Sequence, residues 1–411
     1  MLTRITYMKL KKIVKNSQVL SGLFYAVRRN IYSISLRRYQ RKPLQNDMVL
    51  FNYFNGRGYG GNPKAIAEAF HRMYPDVRLI WTCAGDADRE SLPEYIIPVK
   101  HQSPEYFRTM AIAKAWVFNV LPPGGIRKRN GQIYVQTWHG DRPLKKILKD
   151  AAEGSAKYRN TSDRLSFEDS QCDYFISGSR WFSGVWKRAA GFDGTILEYG
   201  MPRNDCLVNA DSAESRERAQ MVRKKYGIRN DTKVLLYAPT FRDHLLNDST
   251  IENGPDLSGI IRHLKEKDGC EWVCLVRAHS GARLETGSDS DQYIDVTLYP
   301  DMSDILLASD LLITDYSSCA GDFALLHRPV ILYQQDLDEY ENKDRQLYFD
   351  MKETPFLTCA DQDGFYRLLD SLNQEMICQN CDDILSFYEV VDTGKASEKV
   401  CLTIAEQAGI Q

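Results

Sequence analysis

Apolar runs rich in Val, Ile, Leu and aromatic residues alternate with helix-patterned segments in two successive series along this 411-residue chain, divided by a charged stretch from Asp211 to Lys225. Such alternation builds parallel sheets whose crossover helices cover both faces. In the first series, strands are predicted over 48–54, 77–81, 115–120, 132–136, 173–177 and 195–199, with a helix over 63–73. In the second, strands are predicted over 233–237, 271–276, 311–314 and 329–333, with helices over 257–265, 302–308 and 319–326. A chain this long exceeds what one hydrophobic core organises. The expected fold is therefore α/β of the GT-B type, two Rossmann-like domains with the active site in the cleft between them. Residues 1–47 form a basic leading segment, 48–210 the first domain and 211–411 the second, with room for the C-terminal helices to cross back.

Two histidines stand at matching places in this scheme. His139 lies in Gln136-Thr-Trp-His-Gly140 and His279 in Arg277-Ala-His-Ser280, each just past an apolar run. The carboxyl ends of strands are where open α/β sheets bind ligands, so facing domains bring both imidazoles to one cleft. The run Leu311-Leu-Ile-Thr-Asp315 leads through Ser317 and Ser318 into a helix start, whose unpaired N–H groups and positive dipole end receive phosphate oxygens. Thr240 and Arg242 follow the first strand of the second series, within reach of a nucleotide or its phosphates, with a surface salt bridge the other reading of Arg242. Lys145 and Lys146 beside His139 attract a polyanion or form a solvated helix face. Gly56, Gly58, Gly60 and Gly61 lack the GxGxxG spacing and read as a flexible loop that admits the acceptor.

Composition narrows the classes. With 43% hydrophobic and 26% charged residues and a net charge of −2, the chain is neither disordered nor globally suited to nucleic acid. No apolar stretch reaches the ~20 residues that span a bilayer, and no secretory signal opens the sequence. The ten cysteines are scattered; Cys378 and Cys381 form a close pair without the further ligands of a metal site, so reduced thiols are expected and no metal. Charge is uneven, however. Residues 1–42 carry eleven Lys and Arg, and the first acidic residue is Asp47. Interleaved apolar residues make this segment suited to an anionic membrane surface, or to packing on the domain with a solvated basic face.

Beyond these readings, a set of motifs resembles the CDP-glycerol glycerophosphotransferase family, which builds teichoic acids and related capsular polymers. They are Thr137-Trp-His-Gly140 with Pro143-Leu-Lys-Lys146, Gly200-Met-Pro-Arg-Asn-Asp205, Tyr237-Ala-Pro-Thr-Phe-Arg242, Arg277-x-His279, Tyr299-Pro-Asp-Met-Ser303, Thr314-Asp-Tyr-Ser-Ser318, Asp336-Leu-Asp-Glu-Tyr340, Arg345-x-x-Tyr-Phe-Asp350 and Asp392-x-Gly-Lys-Ala-Ser397. They run in the family's order over about residues 48–405. The resemblance implies transfer of glycerol phosphate, or a related alditol phosphate, from CDP-glycerol or CDP-ribitol to a hydroxyl of a lipid-linked saccharide or poly(alditol phosphate) acceptor, releasing CMP. It implies no tightly bound cofactor, and a peripheral enzyme on the cytoplasmic face of the cell membrane. His139 is then the base and His279 engages the donor phosphates. Donor binding falls to Thr240, Arg242, Arg277, Thr314, Asp315, Ser317, Ser318, Asp322 and Arg345, with Asp322 orienting a glycerol or ribose hydroxyl or else stabilising its helix start. Gly140, Lys145 and Lys146 fall on the acceptor side.

Three departures bear on substrates. Asp141 and Arg142 follow Trp-His-Gly where the family often has Thr, Ser280 stands where proline is common, and Gln346 where glycine is common. A carboxylate at Asp141 is expected to raise the pKa of His139 or to repel an anionic acceptor. Two other classes fit the bare scaffold: a GT-B glycosyltransferase using a nucleotide sugar, and a catalytically silent membrane-surface binding protein.

Overall fold

The computed structural model describes residues 18–123, 126–152, 171–240, 254–278 and 293–410. Its first sheet contains β1 (Gln45–Asn52), β2 (Arg78–Cys83), β3 (Ile96–Lys100), β4 (Ala113–Phe118), β5 (Ile133–Gln136), β6 (Tyr174–Ile176) and β7 (Thr195–Leu197), in the order β3-β2-β1-β4-β5-β6-β7. The second contains β8 (Lys233–Ala238), β9 (Trp272–Val276), β10 (Tyr293–Asp295), β11 (Leu311–Thr314), β12 (Val330–Tyr333) and β13 (Leu357–Cys359), in the order β10-β9-β8-β11-β12-β13. Every pairing between these strands is parallel. Central strands of such sheets are covered on both faces and so read as unbroken apolar runs. Val49, Leu50 and Phe51, like Leu312 and Ile313, are fully buried. The fold is thus α/β of the GT-B type.

Strand order reverses between β1 and β4 in one sheet and between β8 and β11 in the other. Loops beyond those strands open into the crevice where such sheets bind ligands. The edge strands β3, β10 and β13 escaped the sequence reading because they are short and half exposed, with no continuous apolar run.

Five helices matter for the site. α1 (Gln18–Arg37) leads the described chain, and α2 (Gly61–Met73) follows β1. The charged stretch between the series is α3 (Ala213–Lys225), capped by the Ser212 hydroxyl, which accepts from Ser215 N. α4 (Met302–Ala308) is capped by Asp301, and α5 (Cys319–Phe323) follows β11. A sixth, α6 (Ala396–Ala408), returns from the second sheet and packs Val400, Cys401 and Ile404 into the first core with Ile66 and Phe70 of α2. Asp205 caps it, accepting from Ala396 N at 2.8 Å and from Ser397 N at 2.7 Å.

The two halves meet along a charged and closely packed seam. Lys64 of α2 reaches Asp301 at 2.8 Å and Asp304 at 3.4 Å, while Arg218 of α3 joins Glu68 at 2.6 Å. The glycine loop after β1 belongs to this seam, which corrects its reading as a flexible entrance. A Cβ on Gly60 would stand 2.9 Å from Pro300 O, and one on Gly56, at φ +89°, would stand 2.6 Å from Ala84 N. Glycine is needed there for close backbone approach rather than for motion.

Candidate functional site

The loop after β5 turns sharply at Trp138, whose φ of +50° is a left-handed conformation that costs a non-glycine residue about 1–3 kcal/mol. Hydrogen bonds hold it there. Trp138 N donates to Gln136 Oε1 at 2.8 Å, and Asn62 Nδ2 donates to Thr137 O at 3.1 Å and Trp138 O at 3.2 Å. The turn sends His139 into the cleft between the sheets, with its ring 4.2 Å from that of Trp138 and 5.2 Å from that of Phe54. Phe54 is also left-handed, at φ +42°, and its N–H donates to Asn119 Oδ1 at 2.8 Å.

His139 Nδ1 lies 3.1 Å from Asn119 O. A carbonyl only accepts, so Nδ1 carries the proton and Nε2 keeps its lone pair. Surrounding protein, with Arg203 and Lys145 adding positive charge, pushes the His139 pKa below its ordinary value, against the opposing effect of the bond to Asn119. The side chain itself stays exposed to the cleft. The imidazole is therefore neutral at pH 7 and able to accept a proton.

The cleft is a cavity of about 540 Å³. His139, Lys145, Trp138, Phe54 and Asn62 line one wall, and Thr240, Arg277, Ser317, Ser318 and Arg345 the other, with Arg203 and Asp322 between them. Arg277 is anchored by Nη1 donating to Tyr299 O at 2.8 Å. Ser318 occupies the N-cap of α5 in helical conformation, and its hydroxyl makes no cap bond. Gly140 brings the two walls together, since a Cβ there would stand 2.6 Å from Ser318 Oγ.

Beneath the cavity floor lies a buried ion cluster. The Arg142 side chain is fully buried, with Nη1 2.6 Å from Asp322 and 3.7 Å from Asp141, and with Nη2 paired to Asp392. Asp322 also pairs with Arg203 and accepts from Asn204 Nδ2 at 3.0 Å. Asp392 accepts from Met201 N at 2.6 Å. Burial, reinforced by Asp392 and Asp322 and opposed by Arg142, pushes the Asp141 pKa up to about 6. Gly321 makes room for the guanidinium stem, since a Cβ there would meet Arg142 Cδ at 2.6 Å.

These contacts revise several expectations. Asp141 turns away from His139 and accepts from Gly178 N at 2.7 Å, so burial and cations set the pKa of His139, in the direction opposite to the one expected. Both Asp322 oxygens are engaged by Arg142, Arg203 and Asn204, which makes the residue a tie between the halves. Thr314 and Asp315 lie below the cavity: Thr314 Oγ1 donates to Ala238 O at 2.6 Å, and Asp315 accepts from Thr240 N at 2.9 Å. Lys146 bridges to Gln346 Oε1 at 2.8 Å and does not line the cavity. His279 and Arg242 lie outside the described residues. Asn62, Arg203 and Phe54 were given no role from sequence, although Arg203 stands in a quoted motif. All ten cysteines, Cys378 and Cys381 included, are free thiols.

Comparison with known proteins places this geometry. The profile of the family described as CDP-Glycerol:Poly(glycerophosphate) glycerophosphotransferase matches residues 34–406. A teichoic acid poly(glycerol phosphate) polymerase of Staphylococcus epidermidis is 32% identical over 388 residues, covering 90% of this chain and 52% of its own. The chain thus spans about half the length of that relative. A teichoic acid glycerol-phosphate transferase of Staphylococcus aureus is 32% identical over 371 residues, covering 87% of this chain and 92% of its own. Among solved structures, a histidine variant of the wall teichoic acid polymerase TagF, soaked with CDPG, superposes with a TM-score of 0.80 at 30% identity, covering 99% of this chain and 97% of the other.

Proposed function

The chain belongs to the CDP-glycerol:poly(glycerophosphate) glycerophosphotransferase family, and from that premise we propose that it transfers glycerol phosphate from CDP-glycerol to an acceptor hydroxyl. What carries the reading is the neutral imidazole of His139, with Nε2 unprotonated, in one cavity with Arg277, Arg345, Ser317 and Ser318. The acceptor oxygen forms a bond to the β-phosphorus as Nε2 takes its proton. The bond from that phosphorus to the bridging oxygen breaks, and CMP leaves with the electron pair. Cations and helix-start N–H groups that gain contact as charge moves onto the leaving group lower the barrier. In this reading His279 and Arg242 add to the donor side, and Lys145 draws the anionic acceptor.

The acceptor is a lipid-linked saccharide or a poly(alditol phosphate) chain of a teichoic-acid-like or capsular polymer. A donor panel tests the reading. With CDP-glycerol, CDP-ribitol and UDP-sugars offered in turn, CMP release is expected with CDP-glycerol, and acceptor-dependent consumption of a UDP-sugar alone would overturn it.

The enzyme works at the cytoplasmic face of the membrane, held by its basic leading segment. Tyr32 and Leu36 of α1 pack toward the helix Pro104–Ile112, whereas Val27, Ile31 and Ile34 stay 51%, 55% and 68% exposed. Their i, i+4, i+7 spacing makes one apolar stripe, bordered by the exposed Arg37. No described helix is long and apolar enough to cross a membrane. Co-sedimentation with vesicles is expected to rise with anionic lipid and fall with salt. Replacing Val27, Ile31 and Ile34 together with serine is expected to abolish it and to spare turnover of a soluble acceptor; undiminished sedimentation would rule the stripe out.

A further inference from the structure

We propose that Asn62 is a positioning residue that aims His139 at the acceptor, acting through the backbone before the histidine and with no polar atom left to hold substrate; this rests on the transfer reaction proposed above. Asn62 is 1% exposed and is the second residue of α2. Its amide is fully committed. Nδ2 donates to Thr137 O at 3.1 Å and Trp138 O at 3.2 Å, and Oδ1 accepts from Arg203 N at 3.0 Å. Arg203 continues the chain of bonds, its Nη1 donating to His139 O at 2.5 Å. Three consecutive carbonyls, at Thr137, Trp138 and His139, are thus gripped by Asn62 and Arg203.

Trp138 holds φ +50°, a region an L residue leaves unless its surroundings fix it. A return to the right-handed region would swing the Cα–Cβ direction of His139 and break its Nδ1 bond to Asn119 O. Asn62 fixes the backbone and Asn119 fixes the ring, so together they set where Nε2 points. Placement at this level matters to rate because proton transfer requires hydrogen-bond approach, and a misplacement of about 1 Å costs on the order of 100-fold. With every polar atom of the Asn62 side chain engaged within the protein, donor affinity has no direct dependence on it.

A double-mutant cycle on the full chain tests this, with kcat and donor KM measured for Asn62→Ala, His139→Ala and the pair. Asn62→Ala is expected to lower kcat about 30- to 100-fold and to leave donor KM within about threefold. Added to His139→Ala, it is expected to cost less than about twofold, because a residue that acts through the base has no further effect once the base is gone. Asn62→Asp keeps the shape and the acceptor for Arg203 N but turns an oxygen toward the two carbonyls, and it is expected to behave alike. The Asp variant also serves if the alanine variant does not fold. An equal loss in both backgrounds, or wild-type kcat in either variant, overturns the proposal. Near-normal turnover in His139→Ala overturns the transfer mechanism itself, and the proposal with it.

Discussion

Replacing His139 with alanine is expected to lower kcat by about 10²- to 10⁴-fold, the usual contribution of a general base, while CDP-glycerol binding changes little. The asymmetry follows from geometry. His139 stands on the wall opposite Thr240, Arg277 and Arg345, and its role begins only as the acceptor proton leaves. The pH dependence carries a second signature. The histidine pKa is depressed below its ordinary 6.5, so the active neutral form persists as pH falls through 6.5 and is lost only on approaching the lowered value. The acid limb of the wild-type rate profile is therefore expected below pH 6.5 and absent from the residual activity of the variant. Steady-state rates across pH 4.5–8, with donor binding measured separately, check both, and near-wild-type turnover would remove His139 from the mechanism.

Arg142→Met is expected to destabilise the folded chain by about 3–5 kcal/mol, because it leaves Asp141, Asp322 and Asp392 buried without their shared cation. Methionine fills much of the same volume, so lost packing contributes little. The loss is expected to shrink at low pH. Asp141 has a folded pKa of about 6, above its ordinary 3.8, so the folded state holds the extra proton between those values. Stability from this group therefore falls as pH rises through that window and levels off above it. Removing the guanidinium widens the window upward, and protonation at pH 5.5 then restores part of what is missing at pH 8. Urea unfolding at the two pH values decides it; an equal loss at both, or a loss under about 1 kcal/mol, would mean that the cluster does not hold the halves together.

The sheets were legible from sequence because strands such as β1 and β11 are buried on both faces, which forces unbroken apolar runs. Exposure hid β3, β10 and β13. The histidine loop was legible for a related reason: a polar motif directly after such a run lies at the ligand-binding edge. Arg142 and Asp322 were not, because their meaning rests on partners 180 residues apart in sequence, and Asp322 read locally as a helix-start carboxylate. Asp141 misled in the same way, since adjacency to His139 in sequence concealed a backbone that turns its carboxylate toward Gly178. The glycines after β1 resembled a mobile loop because nothing in the sequence shows Pro300 packed against them.

Phosphorus NMR of the full chain with CDP-glycerol and a soluble acceptor ending in glycerol phosphate distinguishes the bond that breaks. The diphosphate resonances are expected to disappear as a CMP monoester and an acceptor phosphodiester appear in equal amounts, only when acceptor is present. Release of CDP would place cleavage at a carbon–oxygen bond, as in a glycosyl transfer, and CMP accompanied by free glycerol phosphate would make the chain a hydrolase; either result would contradict transfer to an acceptor hydroxyl activated by His139.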